Sequence, residues 1–256
     1  MPETGMRKKV SSRPRSLTGA PFRYCPGCGH SIVHRLVAES IDALGIREKV
    51  IGIAPVGCAV FAYDYFDFDM IEAAHGRPPA VATGLKRTMP GTVVFTYQGD
   101  GDLAAIGTAE IIHAAARGEN ISVFFVNNAT YGMTGGQMAP TTIPGQRTAT
   151  TPGGRDIQNH GHPLRISELL ATIDGSAYIE RVSLASAANI RTARRAVEKS
   201  LCCQIDGHGF SMVEILSPCP TDWGMTPRES LRWMQTEMLN TFPLGIFRDR
   251  VAGVSR

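Results

Sequence analysis

Apolar positions follow two periods along this chain. In HSIVHRLVAESIDALG, residues 30–45, a helical period sets Ile32, Val33, Leu36, Val37, Ile41 and Leu44 on one face, and Gly45 stands where a left-handed C-cap belongs. Short apolar runs rich in β-branched and aromatic residues occupy 49–55, 92–97, 121–126, 178–184 and 210–216 and predict strands. Helical patterns separate them: 79–88, 102–117 ended by Gly118, a short helix at 166–172, and a basic amphipathic helix at 187–203. One more helix is expected at 227–239, followed by an irregular tail. Residues 129–163, rich in Gly, Pro and Thr, follow neither period, and a loop that long inside a domain is usually functional or a lid.

Strands alternating with helices imply βαβ units and an α/β fold with a doubly wound, mostly parallel sheet. Ligands of such sheets bind at the carboxyl ends of the strands, so the chemistry is expected just after residues 55, 98, 126 and 216. The 256 residues suit one domain with arms: a basic N-terminal arm at 1–20, the sheet domain at 21–217 and a C-terminal arm at 218–256. Charged residues make up 19%, against a typical ~25%, and the 27 glycines fit a buried core with tight ligand-holding loops. A net charge of +3 makes no general case for nucleic acid. The apolar runs fall far short of the ~20 residues that span a membrane. The opening MPETGMRKKVSSRPRS is basic without an apolar stretch, so it reads as a solvated tail rather than a secretory signal, with a transit-like or partner-binding arm as alternatives. Six cysteines without such a signal imply a reduced, cytoplasmic chain.

Directly after one strand stands Gln98-Gly99-Asp100-Gly101-Asp102. GDGDLA fits the dinucleotide pattern G-x-G-x-x-A, but Asp100 would set its charge against a pyrophosphate, and the next strand ends in Asn127-Asn128 where a ribose-binding acid is expected. A metal resolves both difficulties. Adjacent parallel strands lie roughly 4.8 Å apart, which brings Asp100 beside the Asn127-Asn128 pair. A carboxylate and an amide oxygen are hard ligands that suit Mg²⁺ shared with phosphate oxygens. Gly99 and Gly101 allow close backbone approach, and a helix starting at Asp102 would aim N–H groups at the diphosphate. GDG, then roughly 25–30 residues, then NN is a signature of thiamine diphosphate binding.

Cys25-Pro26-Gly27-Cys28-Gly29-His30 is a CxxC immediately before a helix, open to a redox dithiol, a zinc knuckle or iron–sulfur ligands. Cys58 and Cys219 each follow a strand end, so four thiolates are expected at one sheet edge. Zinc and a 4Fe–4S cluster share that ligand count, and spacing does not separate them. Cys202 and Cys203 fall in a helix pattern and read as buried, inert residues.

These motifs resemble a family. YCPGCGH, PVGCAVF, AAHGRPPAVATGLKR, the stretch from YQGDGD to QMAPTT, and SPCPTDWG follow the order found in the β, thiamine diphosphate-binding subunit of the 2-oxoacid:ferredoxin oxidoreductases. The likeness runs from about Tyr24 to Gly245 and is greatest to the branched-chain (2-oxoisovalerate) type, with the 2-oxoglutarate type next. It implies three cofactors: thiamine diphosphate, Mg²⁺ and one 4Fe–4S cluster. By that resemblance Asp100, the Asn128 side chain and the Thr130 carbonyl hold Mg²⁺, and Cys25, Cys28, Cys58 and Cys219 hold the cluster. Gly57, Cys58, Ala59, Gly99, Gly101, Asp102, Tyr131, Gly132 and Met133 would line thiamine diphosphate, and His75 would be catalytic, facing the thiazolium and the substrate. Pyruvate-type members carry asparagine where this chain has Met133, which weakens a pyruvate assignment. His160 and His162 match no motif, and His208 reads as a structural turn residue.

The implied activity is oxidative decarboxylation of a 2-oxoacid to an acyl-CoA and CO₂, with electrons passing through the cluster to ferredoxin. A non-oxidative thiamine decarboxylase would need no cluster, and a zinc-stabilised scaffold would need no GDGD…NN pair. Only one α/β core is readable, so the chain is expected to be half of an active site, inactive without α and γ subunits, fused or separate, and often a ferredoxin-like δ subunit. The arms, with Trp223 and Trp233, are candidate grips for those partners.

Overall fold

A computed structural model describes residues 12–251. Six strands run parallel: β1 (Val50–Ala54), β2 (Asp69–Glu72), β3 (Val93–Gly99), β4 (Ser122–Asn127), β5 (Ser176–Ser183) and β6 (Phe210–Leu216). A seventh, β7 (Gly245–Asp249), lies antiparallel to β5, and the sheet order is β2-β1-β3-β4-β6-β5-β7. The expected doubly wound α/β fold is therefore present.

Each face of the sheet carries its own helices. Phe124 and Val126 of β4 pack with the helices His30–Leu44 and Ala187–Ile205, whereas Val123 and Phe125 pack with Pro78–Thr88, Thr108–Ala116 and Ile166–Ala171. Strands covered on both faces need apolar residues at every position, which is why the inner ones stand out as unbroken runs. A third, smaller cluster of Ala129, Ile143, Leu216, Met234, Met238 and Phe242 sits beyond the strand ends.

Two strands are absent from the sequence expectation. β2 is a half-exposed edge strand, and β7 is an edge strand within the stretch expected to be irregular. The helix expected at 102–117 is broken: a π-type turn, Gly101–Ile106, precedes Gly107, and the α-helix resumes at Thr108. A β-carbon on Gly107 would lie 2.4 Å from the Asp102 carbonyl and 2.8 Å from that of Gly76, so this close crossing requires glycine. The helix expected at 227–239 begins with a Thr226/Glu229 capping box and passes into a π-type turn at Met234–Met238.

The stretch 129–163 is packed rather than lid-like. Buried Arg155 donates to the carbonyls of Ala139, Pro140 and Thr142 on one side and of His160, Gly161 and His162 on the other. Part of the N-terminal arm is anchored too, since the buried Ser16 hydroxyl donates to Asp42 at 2.6 Å, while residues 1–11 lie outside the described residues. Among the described residues no helix is long and apolar enough to cross a membrane.

Candidate cofactor site

The chain leaves β1 for the β2 edge and then returns to the other side of β1 as β3, so the winding reverses between β1 and β3. The crevice at such a reversal is where doubly wound sheets bind ligands. Here the carboxyl ends of β1, β3 and β4 open into a cavity of about 340 Å³. Gly57, Cys58, Ala59, His75, Gly99, Asp100, Gly101, Asp102, Asn128, Tyr131, Gly132 and Met133 all line it. His30, Val56, Ala105, Ile106 and Thr134 line it as well, and the motif reading missed them.

β3 and β4 pair with Gly99 opposite Val126, which sets Asp100 beside the turn that follows β4. Asp100 is buried and accepts from the Thr141 hydroxyl at 2.8 Å, the Thr130 N–H at 3.1 Å and the Gly101 N–H at 3.0 Å. Burial pushes its carboxyl up to about 7, with those donors pulling the other way. The Asn128 side-chain oxygen stands 2.7 Å from the Thr130 carbonyl oxygen and 3.1 Å from Asp100 Oδ2. Turned over, the amide would donate to both, which suits a cation-free site. As placed, the Asn128 oxygen shares the Thr130 N–H with Asp100 Oδ2, at 3.3 and 3.1 Å, and otherwise faces the Thr130 carbonyl and Asp100 oxygens. Neighbouring ligands of an octahedral Mg²⁺ at about 2.1 Å stand about 3 Å apart, so each of these two separations fits a pair of adjacent ligands. A divalent cation would also offset the cost of burying the Asp100 charge.

The cavity floor is built for close approach. A β-carbon at Gly57 or Gly99 would meet no other atom within 4 Å, so at both positions glycine leaves open cavity. Gly57 also has φ +123, which disfavours a side chain. At Gly101 a β-carbon would come within 3.0 Å of the Tyr131 ring, so glycine lets that ring close over the turn. The N–H-rich helix start expected at Asp102 is replaced by the short π-type turn capped by Asp100.

Asp102 is a junction. Oδ1 accepts from His75 Nδ1 at 2.7 Å and from the Gly76 N–H at 2.8 Å, and Oδ2 accepts from Gln98 Nε2 at 2.6 Å. The side chain thereby joins the end of β3 to the HGR loop. With Nδ1 donating to a carboxylate, the Nε2 of a neutral His75 is left as an acceptor at the cavity wall.

The four motif cysteines come from different segments and converge. Cys25 and Cys28 precede the helix His30–Leu44, Cys58 opens the turn Cys58–Phe61, and Cys219 precedes Pro220–Trp223. A β-carbon on Gly27 would strike Pro227 at 2.6 Å and Pro220 at 3.1 Å, so the CxxC loop lies on the segment that follows Cys219. Asp222 accepts from Cys219 Sγ at 3.1 Å. Burial lifts Cys58 to about 12 and Cys28 to about 11, with the nearby thiols and Asp222 adding to the rise. Burial and Asp222 also push Cys219 up. Among the described residues, no three His, Cys, Asp or Glu stand close enough to grip a single metal ion. That gives no support to a tetrahedral zinc, whose thiolates sit about 2.3 Å from one ion.

Other candidates have structural places. Trp223 and Trp233, both half-buried, pack on each other at 4.5 Å, and Trp223 Nε1 donates to the Asn128 carbonyl at 3.0 Å. His160 Nδ1 accepts from the Asp156 N–H at 3.1 Å, and His162 contributes a carbonyl to Arg155. Cys203 is buried and Cys202 half-buried.

Residues 55–215 match the family described as thiamine pyrophosphate enzyme, C-terminal TPP binding domain. Over 255 residues the chain is 52% identical to the ketoisovalerate oxidoreductase subunit VorA of Methanothermobacter marburgensis, covering 96% of this chain and 53% of that one. It is 34% identical over 215 residues to the 2-oxoglutarate synthase subunit KorB of Archaeoglobus fulgidus, covering 84% and 76%. The structure of a 2-oxoglutarate:ferredoxin oxidoreductase from Magnetococcus marinus, with 2-oxoglutarate, coenzyme A and succinyl-CoA bound, superposes with a TM-score of 0.74 at 25% identity, over 95% of this chain and 87% of that one. The chain thus spans about half the length of the ketoisovalerate oxidoreductase subunits it resembles.

Proposed function

The chain belongs to the thiamine pyrophosphate-binding subunits of the 2-oxoacid oxidoreductases, and from that premise we propose that it holds thiamine diphosphate, Mg²⁺ and one 4Fe–4S cluster for the oxidative decarboxylation of a 2-oxoacid to an acyl-CoA. The observation that carries this reading is the convergence of three oxygens, from Asp100, Asn128 and Thr130, beside a glycine-lined cavity at the sheet's reversal point. Asp100, the Asn128 amide oxygen and the Thr130 carbonyl would hold Mg²⁺. Gly57, Gly99 and Gly101 would give the diphosphate room. When bound, thiamine diphosphate supplies the carbon nucleophile and the electron sink for decarboxylation.

Cys25, Cys28, Cys58 and Cys219 would hold the cluster, which supplies one-electron chemistry toward ferredoxin. Cys58 lines the cavity and lies in the quartet, so cofactor and cluster would share a wall. His75, anchored by Asp102, presents an acceptor nitrogen where a substrate's polar groups would lie.

The mouth carries Ile106, 49% exposed, and Met133, 52% exposed, an apolar lip that suits a branched aliphatic 2-oxoacid better than a second carboxylate. It also suits cover by another chain. Among the described residues no carboxylate other than Asp100 and Asp102 lines the cavity, and both are engaged, so a glutamate for the aminopyrimidine would come from a partner subunit.

The test is 2-oxoacid-dependent reduction of a viologen dye by the chain with its partner subunits, run with and without coenzyme A across a series of 2-oxoacids. The reading expects coenzyme A-dependent dye reduction, fastest with branched-chain substrates. Carbon dioxide release without dye reduction would instead favour a non-oxidative decarboxylase.

A further inference from the structure

Behind the metal oxygens lies a buried polar line that touches neither cavity nor cysteines. Asn127 ends β4, and its Oδ1 accepts from the Ala129 N–H at 3.0 Å while its Nδ2 donates to Glu214 of β6 at 2.8 Å. The other Glu214 oxygen accepts from Arg181 Nε of β5 at 2.8 Å and from the Ser167 hydroxyl at 2.5 Å. Arg181 continues to Glu168 at 2.9 Å and to the Pro243 carbonyl at 3.1 Å, between the rings of Phe242 and Phe247. Asn127, Glu214 and Arg181 are all fully buried.

A buried ion pair of this kind contributes little net stability, because desolvation offsets its attraction. Its position says more. Asn127 ties down Ala129, which is the only non-glycine residue with positive φ among the described residues, at +56°. That conformation is strained for an L residue, so it persists only where its surroundings impose it. Ala129 lies between Asn128 and Thr130, and across its turn the Asn128 amide stands 2.7 Å from the Thr130 carbonyl.

We propose that Asn127, held by the Glu214–Arg181 pair, is the positioning residue of the metal site: it fixes the left-handed turn at Ala129 and so sets the Asn128 amide and the Thr130 carbonyl facing one another before any ion arrives, ready for the amide to present its oxygen. Glu214 orients the Asn127 amide, and Arg181 orients Glu214. The proposal rests on the assignment of Mg²⁺ to Asp100, Asn128 and Thr130.

The test uses Mn²⁺ as the probe, bound in the presence of thiamine diphosphate to the full chain purified with the subunits that accompany it. Free Mn²⁺ is counted by electron paramagnetic resonance well below the unfolding temperature of each variant. N127L, which keeps asparagine's branching and removes both polar atoms, should weaken Mn²⁺ binding roughly 10–100-fold, the range typical of partners one step behind a ligand. E214Q keeps an oxygen able to accept from Asn127, so it should lower the melting temperature yet change Mn²⁺ affinity less than about threefold. Adding A129G to N127L should recover part of the affinity without recovering the melting temperature, since glycine adopts positive φ unaided. A merely structural role would lower the melting temperature and leave Mn²⁺ affinity alone. N127L binding Mn²⁺ within twofold of the wild type would overturn the proposal. Wild-type hydrogen exchange gives an answer even if N127L does not fold. The Ala129 amide should be protected without metal, and exchange there as fast as in an open loop would equally overturn it. If the wild type itself fails to bind Mn²⁺ with thiamine diphosphate, the metal assignment fails instead.

Discussion

The cavity has two corners that differ in how far the protein has built them. At the metal corner both Asp100 oxygens accept protein hydrogen bonds, the Thr130 N–H is engaged, and the Asn128 carbonyl is held by Trp223. At the cysteine corner the thiols arrive on three separate segments, and Cys219 donates to Asp222. Both corners bury groups whose charged forms are disfavoured, Asp100 on one side and Cys28, Cys58 and Cys219 on the other. The metal corner keeps its shape through its own hydrogen bonds, whereas the cysteine corner is held by packing, as where the Gly27 turn lies against Pro220 and Pro227. Substitutions at the first should act on cofactor affinity, and at the second on the cluster.

The largest expected effect breaks the metal corner. Asp100→Ala removes the only charge among the three oxygens and should weaken thiamine diphosphate binding beyond the roughly 10–100-fold that supporting residues carry. Calorimetric titration in Mg²⁺ measures it, with circular dichroism checking that the fold survives. Unchanged affinity would falsify the assignment.

The next effect separates the corners. Cys58→Ser should remove or strongly alter a brown, air-sensitive chromophore, because serine replaces thiolate poorly at iron. Cys202→Ser should leave that chromophore intact. Identical visible and reduced-state magnetic spectra for the two variants would remove the four-cysteine site from the account.

A pH effect sharpens the contrast on the cysteine side. His34 is fully buried, stacks on Tyr97 at 4.8 Å and meets the hydroxyl of Tyr24, the neighbour of Cys25, at 2.7 Å. Burial, and then the nearby His30, hold it well below the usual histidine range. Above about pH 6.5 it is neutral folded and unfolded and adds no pH dependence. As pH falls below that value the unfolded chain takes up a proton that the folded chain resists, so stability is lost. Urea midpoints should drop between pH 7 and 5, and His34→Phe should flatten the slope. An equal slope in that variant would assign the acid sensitivity elsewhere.

The smallest expected effect returns to the metal corner. Trp223→Phe removes one hydrogen bond to the Asn128 carbonyl while keeping most of the ring packing, and should cost about 1 kcal/mol of stability. A thermal melt reads it, and a loss of several kcal/mol would show that the indole carries more than this bond.

What the sequence disclosed follows from the same physics. β4 and β6 were legible because burial on both faces demands apolar residues at every position. β2 and β7 were not, since an edge strand exposed on its flanks has no such pattern. The break at Gly107 depends on the approach of Gly76, a contact remote in sequence. In the site, residues within contiguous motifs were readable, from Cys25 through Asp100 to Asn128. Thr141, Asp222 and Glu214 were not, because each matters through a partner far along the chain, and nothing local marks a threonine in a Thr/Pro loop as a donor to Asp100.

The most direct test of the central claim is a crystal structure of the chain with thiamine diphosphate and Mn²⁺, located by its anomalous signal. The account predicts one ion about 2.1 Å from Asp100, the Asn128 amide oxygen and the Thr130 carbonyl, completed by diphosphate oxygens over Gly99 and Gly101. An ion bound away from those three oxygens, or a diphosphate outside the cavity, would contradict it.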